Sequence, residues 1–189
     1  MPLDDASRWD ARYREEIRYL RFEEPRPFLV ENAGLLPASG LALDVAMGLG
    51  GNAGFLLSRG LKVVGMDISE VALRRAKERL PELMAVQIDL PSLRLPARTF
   101  DVILNFYYLQ RDLWPQYARA LKPGGLLVFE TLTQEMRSRQ PDIDPQYLLA
   151  AGELAGAFPT LETLVYQEGW TPGTSGHPRP VASLVARAA

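Results

Sequence analysis

The chain contains no cysteine and only one histidine, His177, among its 189 residues. Disulfides, thiolate catalysis and cysteine-based metal sites are therefore excluded, and a histidine-rich metal site is excluded as well. No apolar run approaches the roughly 18–20 residues that a membrane-spanning helix needs. The first residues, 1–5, are acidic and lack the apolar core of a signal peptide. These absences predict a cytoplasmic protein with no metal site and no membrane partner.

An excess of positive charge is also missing. The chain has 21 basic and 23 acidic residues, which gives a formal net charge of −2. Nucleic acid is therefore not an expected partner. The hydrophobic fraction of 47% is ordinary for a soluble protein, and the length suits one domain with a sizeable core. We expect a small-molecule substrate and a monomer or homodimer.

Short apolar runs alternate with helical patterns along most of the chain. Strands are predicted at 41–46, 61–66, 83–88, 100–104, 126–131, 160–167 and 181–187. Helices are predicted at 7–21, 28–33, 53–58, 70–80, 112–121 and 146–157. The alternation predicts an α/β, Rossmann-like, doubly wound seven-stranded sheet. The sheet should be mostly parallel with an antiparallel last strand, because no helix separates the final two strands.

A glycine-rich loop follows the first predicted strand. Gly48, Gly50 and Gly51 let the backbone turn sharply and let a ligand approach it without meeting a Cβ. The spacing Gly48-x-Gly50-x-x-Ala53, with Asp67 at the end of the second strand, fits the dinucleotide-binding pattern G-x-G-x-x-G/A. An NAD(P)-dependent oxidoreductase is therefore one interpretation of this loop.

Further residues argue against a dinucleotide. Asp44 lies within the first strand, where its charge would repel a pyrophosphate but suit a ligand with an ammonium and a sulfonium. Asp89 ends the third strand and suits the amino group of an adenine. The Tyr-x-x-x-Lys pair of short-chain dehydrogenases is missing, since Tyr117 and Lys122 are one residue too far apart.

At this point the chain resembles a known family, the class I S-adenosylmethionine-dependent methyltransferases. The motifs that carry the resemblance are 43–53 (LDVAMGLGGNA), 63–69 (VVGMDIS), 100–103 (FDVI) and 121–127 (LKPGGLL). The stretches 9–13 (WDARY) and 51–53 (GNA) look most like the small tellurite-resistance-type branch. The resemblance implies one methyltransferase domain over 1–189, with an N-terminal helical cover at 1–35 and a Rossmann-like core at 41–189.

The resemblance implies S-adenosylmethionine as cofactor and assigns residues to its methionine half. Gly48 and Gly50 would let the methionine lie against the backbone, and Asp44 would hold its amino group. Asn52 follows in the same loop as a further contact. Ala46 stands where the family often has its first glycine, and alanine serves there if its backbone keeps an ordinary β conformation.

The adenosine half is assigned in the same way. Asp67 would accept both ribose hydroxyls, a bidentate arrangement that suits a carboxylate. Ile68 and Leu90 would sandwich the adenine, and Asp89 would contact its amino group. Two readings stay open from the residues alone, because Asp44 can be a buried structural partner and Asp89 a plain turn residue.

Residues at the remaining strand ends would face the methyl group and the acceptor. Asn105 and Phe106 would lie beside the methyl, and Tyr13 in the N-terminal helix would close over the donor. Tyr107 is a candidate catalytic residue that either lines the pocket or packs in the core. His177 is the candidate base if the nucleophile must lose a proton, and otherwise an exposed loop residue.

Arg111 is a further candidate on the substrate side. It either pairs with an anionic substrate or forms a structural pair with Asp101 or Asp112. The implied activity is methyl transfer to a small molecule by in-line displacement, with an oxidoreductase or a non-catalytic S-adenosylmethionine-binding module as alternatives.

Overall fold

Seven strands form one sheet with the order β3-β2-β1-β4-β5-β7-β6. The computed structural model describes residues 2–15, 23–172 and 177–189. The strands are β1 Gly40–Val45, β2 Leu61–Asp67, β3 Met84–Gln87, β4 Phe100–Phe106, β5 Leu121–Leu132, β6 Leu161–Thr171 and β7 Arg179–Ala188.

Six α-helices accompany the sheet in the described part of the chain. They are α1 Pro2–Glu15, α2 Pro27–Glu31, α3 Gly51–Ser58, α4 Glu70–Arg79, α5 Trp114–Ala120 and α6 Glu153–Gly156. Part of the helix predicted at 7–21 falls on residues 16–21, which lie outside the described residues. Ser69 caps α4, because its hydroxyl accepts the amide of Ala72 at 3.1 Å.

The pairing of the strands confirms the predicted fold. The first five strands are parallel to one another, and β7 is antiparallel to both β5 and β6. The chain winds outward from β1 to β3 and then returns to the other side of β1 with β4. Ligands bind at such a reversal, in the crevice beyond the carboxyl ends of the strands.

Apolar layers cover both faces of the sheet. Along β1, Leu43 and Val45 pack into one layer, and Ala42 packs into the other. In β4, Ile103 joins the first layer and Leu104 the second. Central strands buried on both faces account for the continuous apolar runs in the sequence, since helices lie over each face of a parallel sheet.

One local prediction is wrong. The helix expected at 146–157 is instead a 3₁₀ turn at Pro145–Tyr147 followed by the short α6. Gly152 interrupts it with a left-handed backbone, φ 70°.

The N-terminal helix is anchored on the start of α4. The Asp10 carboxylate accepts the Ser69 hydroxyl at 2.6 Å and the Val71 amide at 3.2 Å. The Arg75 guanidinium donates to the Tyr13 carbonyl at 2.6 Å. Helix α1 is therefore fixed by charge-assisted hydrogen bonds to the helix that follows β2.

Asp10→Ala should loosen α1 without unfolding the sheet. It removes both acceptor contacts to α4 and should cost about 1 kcal/mol of docking free energy. Hydrogen exchange should then speed up in α1 and stay unchanged in β1 and β4. Asp5→Ala is the matched control, because Asp5 lies on the same helix and pairs with the exposed Arg8. Equal exchange in both variants would contradict the anchoring role.

Candidate active site

The glycine loop after β1 repeats one backbone conformation. Ala46, Gly48 and Gly50 all have left-handed backbones, with φ of 52°, 57° and 74°. Ala46 therefore does not keep the β conformation that was our condition for alanine at this position. A residue with a Cβ is strained there by about 1–2 kcal/mol. At Gly48 an added Cβ would also lie 2.8 Å from the Tyr13 hydroxyl.

Tyr13 closes the loop from the side of the N-terminal helix. Its ring is buried and stacks on Trp9, with 5.8 Å between the ring centroids. It packs in one cluster with Leu49 of the loop and Val71 of α4. The structure therefore brings Tyr13 to the glycine loop, as its predicted role over the donor requires.

Asp44 is buried beneath this loop, with 1% of its surface exposed. The Ala53 amide donates to its carboxylate, whereas Oδ2 has no hydrogen-bond partner within the described part of the chain. Burial, reinforced by the charge of Asp67, raises the pKa of Asp44 to about 8. An unpaired buried oxygen of this kind is costly unless a ligand supplies a donor.

Asp67 lies beside Asp44 at the end of β2 and is also buried. Its two carboxylate oxygens accept the amides of Gly48 at 2.8 Å and Ser69 at 2.9 Å. The Ile68 amide is a third backbone donor to this carboxylate, and because a carboxylate offers about four acceptor positions, some capacity remains for a ligand hydroxyl. Burial raises the pKa of Asp67, although the backbone hydrogen bonds oppose that rise.

The predicted adenine residues continue the same edge of the sheet. The Ile88 amide donates to the Asp67 carbonyl at 3.0 Å, which holds the ends of β2 and β3 together. Leu90 is buried, and Ile68 and Asp89 are partly buried. Two apolar side chains and a carboxylate therefore flank the ends of neighbouring strands, as the predicted roles require.

Two residues predicted to contact the methyl donor, Asn52 and Asn105, form hydrogen bonds within the protein. Asn52 accepts the Arg26 amide through Oδ1 at 2.8 Å. Asn105 donates to the Tyr108 carbonyl at 2.6 Å and accepts the Tyr117 hydroxyl at 3.1 Å. These amides hold the chain around the site. Phe106 likewise packs in the core.

Tyr107 follows β4 and has a left-handed backbone, with φ 57°. Its hydroxyl is hydrogen-bonded to Glu130, and burial, together with the Glu130 charge, raises its pKa to about 12. The hydroxyl therefore stays protonated at neutral pH and acts as a donor. The guanidinium carbons of Arg26 and Arg179 lie 4.6 and 5.9 Å from the ring centroid.

Sequence reasoning missed Arg26 and Glu130. Glu130 is a buried carboxylate within the apolar run of β5, and a charge inside such a run was a usable signal. Arg26 lies between Pro25 and Pro27, and nothing in its local pattern distinguishes it from a loop arginine.

His177 and Arg111 complete the predicted substrate side. His177 is exposed, just before β7, and its role as a base stays a prediction. Arg111 forms a structural pair, because its guanidinium donates to Glu153 at 2.9 Å and to the Leu148 carbonyl at 3.1 Å. The proposed partners Asp101 and Asp112 were wrong; Asp101 pairs with Lys122 at 2.7 Å.

The fold is Rossmann-like, and two buried carboxyl groups, Asp44 and Asp67, lie at the strand ends of the candidate site. Residues 42–125, a little under half of the chain, match the family model described as "Methyltransferase domain". The chain is also similar to a probable S-adenosylmethionine-dependent methyltransferase of Mycobacterium tuberculosis. The two are 30% identical over 47% of this chain and 34% of that protein.

A second relative and a solved structure are also similar to this chain. A trans-aconitate 2-methyltransferase of Methylobacterium nodulans is 32% identical over 65% of this chain and 49% of that protein. The chain thus spans about a third to half of these curated relatives. The solved structure of an S-adenosylmethionine-dependent methyltransferase from Methanosarcina mazei has a TM-score of 0.71 at 18% identity, covering 87% of this chain and 98% of that one.

These matches agree with the predicted class, because each is to a methyltransferase or to a methyltransferase domain, and the Rossmann-like fold is confirmed. S-adenosylmethionine is the donor named for the Mycobacterium tuberculosis and Methanosarcina mazei proteins. Across residues 2–15, 23–172 and 177–189, no helix is long and apolar enough to cross a membrane.

Ala46→Gly should stabilise the protein. Glycine relieves a left-handed strain of about 1–2 kcal/mol and adds about 0.5–1 kcal/mol of unfolded-state entropy, so the net gain is about 0.5–1 kcal/mol. Urea unfolding measures this gain in the free energy of unfolding. Gly48→Ala is the paired variant and should destabilise, since its Cβ would meet the Tyr13 hydroxyl. A loss of stability in Ala46→Gly would contradict the strain argument.

Asp44→Asn should stabilise the unliganded protein as the pH rises. The pKa of Asp44 is about 8 in the folded protein, far above that of an unfolded aspartate, so the folded state binds more protons between these values. The contribution of protonated Asp44 to the free energy of unfolding is therefore present at low pH and is lost as the pH rises toward 8. The free energy of unfolding of Asp44→Asn, measured relative to the unchanged protein, should rise by at least about 1 kcal/mol between pH 5 and pH 8. An advantage that is equal at both pH values would refute this ionisation.

Proposed function

We propose that this protein is an S-adenosylmethionine-dependent methyltransferase that transfers a methyl group to a small-molecule acceptor by in-line displacement. The observation that carries the proposal is the buried, unpaired Oδ2 of Asp44 beside Asp67. Two desolvated carboxyl groups at one strand edge call for a cation with hydrogen-bond donors, whose charge would favour the ionised form of Asp44.

The residues present fit the donor. Asp44 would hold the ammonium group of its methionine half, and the positive sulfonium would lie in the same negative field. The free lone pairs of Asp67 would accept the ribose hydroxyls. Ile68 and Leu90 would pack on the adenine, with Asp89 at its amino group.

S-adenosylmethionine supplies an activated methyl group with a neutral thioether as leaving group. The work of the chain is to align the acceptor and to exclude water. Tyr107 belongs to the proposal on the acceptor side, where its protonated hydroxyl donates to Glu130 and its oxygen can accept a hydrogen bond from the acceptor. His177 belongs to the proposal as a base only for an acceptor that must lose a proton.

The scope of the proposal follows the sequence. One methyltransferase domain would cover 1–189, with 1–35 as a helical cover and 41–189 as the core. The trans-aconitate relative acts, by its name, on a small organic acid, which supports a small-molecule acceptor. A cytoplasmic monomer or homodimer and the tellurite-resistance-type branch remain part of the proposal.

The two alternatives make different demands on the site. A nicotinamide dinucleotide would bring a pyrophosphate to the loop above Asp44, where the charges repel. A non-catalytic donor-binding module would bind the donor and transfer no methyl group. Binding measurements separate the first alternative, and an acceptor screen separates the second.

Calorimetry with S-adenosylmethionine, S-adenosylhomocysteine and NADH tests the proposed donor. Both adenosyl ligands should bind and NADH should not. Asp67→Ala and Asp44→Asn should each weaken S-adenosylhomocysteine at least tenfold, about 1.4 kcal/mol. Asp112→Asn, an exposed change, should leave affinity unaltered. Thermal melting verifies that each variant is folded. Binding of NADH without a response to either adenosyl ligand would overturn the proposal.

A further inference from the structure

Five side chains form a second polar group at the carboxyl ends of β4 and β5, which we call the Arg–Tyr cluster: Arg26, Tyr107, Glu130, Arg179 and Ser183. Glu130 accepts the Ser183 hydroxyl at 2.8 Å and a hydrogen bond from Tyr107, and the two arginines lie over the ring of Tyr107. The strand register places them together, because Glu130 pairs with Phe106 on one side and Ser183 on the other.

The cluster holds more positive than negative charge. Two guanidinium groups lie near the ring of Tyr107, and Glu130 supplies one carboxylate. Burial lowers the pKa of Arg26, and the neighbouring Arg179 lowers it further, although Tyr107 and Glu130 oppose this. Holding like charges together at a partly buried position costs free energy that an anionic ligand would offset.

The cluster adjoins the donor site. The backbone amide of Arg26 donates to Asn52, in the first turn of α3 after the glycine loop. The guanidinium of Arg26 is also close enough to Asp44 to lower the pKa of that carboxyl. An anion bound at the cluster would therefore lie beside the methionine half of the donor, where the methyl group is carried.

We propose that the Arg–Tyr cluster is the acceptor subsite, and that the acceptor carries a carboxylate held by the guanidinium groups of Arg26 and Arg179. This inference rests on the proposed function and adds the chemical class of the acceptor. Arginine suits the role because its planar fork binds a carboxylate through two parallel hydrogen bonds. The Tyr107 hydroxyl donates its one proton to Glu130 and so holds that carboxylate in place near Arg26.

The two guanidinium groups can each bind one carboxylate, so a small dicarboxylate such as malonate is a suitable probe of the cluster. A carboxylate could come from two sources here, the acceptor or the methionine half of the donor. The experiment must therefore distinguish them.

Calorimetry with protein saturated with S-adenosylhomocysteine provides the test. Malonate should bind, and malonamide, which has the same shape without charge, should not. Arg179→Gln should weaken malonate at least about tenfold and leave S-adenosylhomocysteine within about twofold, and Arg179→Lys should restore part of the loss. Arg139→Gln is the matched control, since Arg139 is exposed and stacks on Trp170 outside the cluster.

Arg26→Gln separates the two sources of carboxylate. It should weaken malonate and change the affinities of S-adenosylhomocysteine and decarboxylated S-adenosylmethionine equally. A loss confined to S-adenosylhomocysteine would mean that Arg26 holds the carboxylate of the donor, and would overturn the proposal. Equal binding of malonate and malonamide, or tighter binding of phosphate than of malonate, would overturn it as well.

The proposed function and this inference fail in different ways. If no adenosyl ligand binds, the methyltransferase proposal fails, and malonate titrated into the protein alone still tests the cluster. If the adenosyl ligands bind and malonate does not, the methyltransferase proposal stands and the carboxylate acceptor is wrong.

Discussion

Two carboxylates buried side by side are the constraint on which the site depends. Asp44 lies near the end of β1 and Asp67 ends the neighbouring β2, and each loses most of its solvation there. The backbone satisfies Asp67 through the amides of Gly48 and Ser69, but it leaves one oxygen of Asp44 without a partner in the described chain. A cationic ligand at Asp44 would remove that penalty, so the same burial that destabilises the free protein would favour the bound one. Under the proposed function, stability and donor affinity are therefore in direct conflict at Asp44.

Backbone strain accompanies this constraint at the two strands that flank the crevice. Ala46 follows β1 and Tyr107 follows β4, and both have left-handed backbones. β1 and β4 are neighbours at the reversal of the sheet, so both strained residues face the crevice where ligands bind. Strain alone does not mark the site, because Arg98 has φ 49° in the loop before β4. It becomes informative where it coincides with buried charge.

The sequence predicts the fold and the anionic half of the site for physical reasons. Apolar runs separated by helical patterns define the parallel strands, and Asp44 and Asp67 are visible as charges at the ends of such runs. The sequence does not predict the left-handed backbone of Ala46, because that conformation belongs to a loop in which Ala46, Gly48 and Gly50 all adopt it. The Arg–Tyr cluster was hidden because Arg26, Glu130 and Arg179 come from distant segments that only the sheet brings together. The helix wrongly predicted at 146–157 shows the same limit. Gly152 interrupts it with a left-handed backbone, and the local sequence does not fix that conformation.

The two halves of the site carry opposite charge, and Arg26 joins them. Its backbone amide binds Asn52 beside the glycine loop, while its guanidinium lies over Tyr107. A donor cation at Asp44 would replace the support that this carboxyl draws from Arg26, and would leave more of the arginine charge for an anion. Binding of the donor and the acceptor would then be positively coupled, because the donor cation compensates the acidic half of the site and the acceptor anion compensates the basic half. An acceptor without negative charge would gain nothing from this coupling, so the charge arrangement itself selects between acceptor classes.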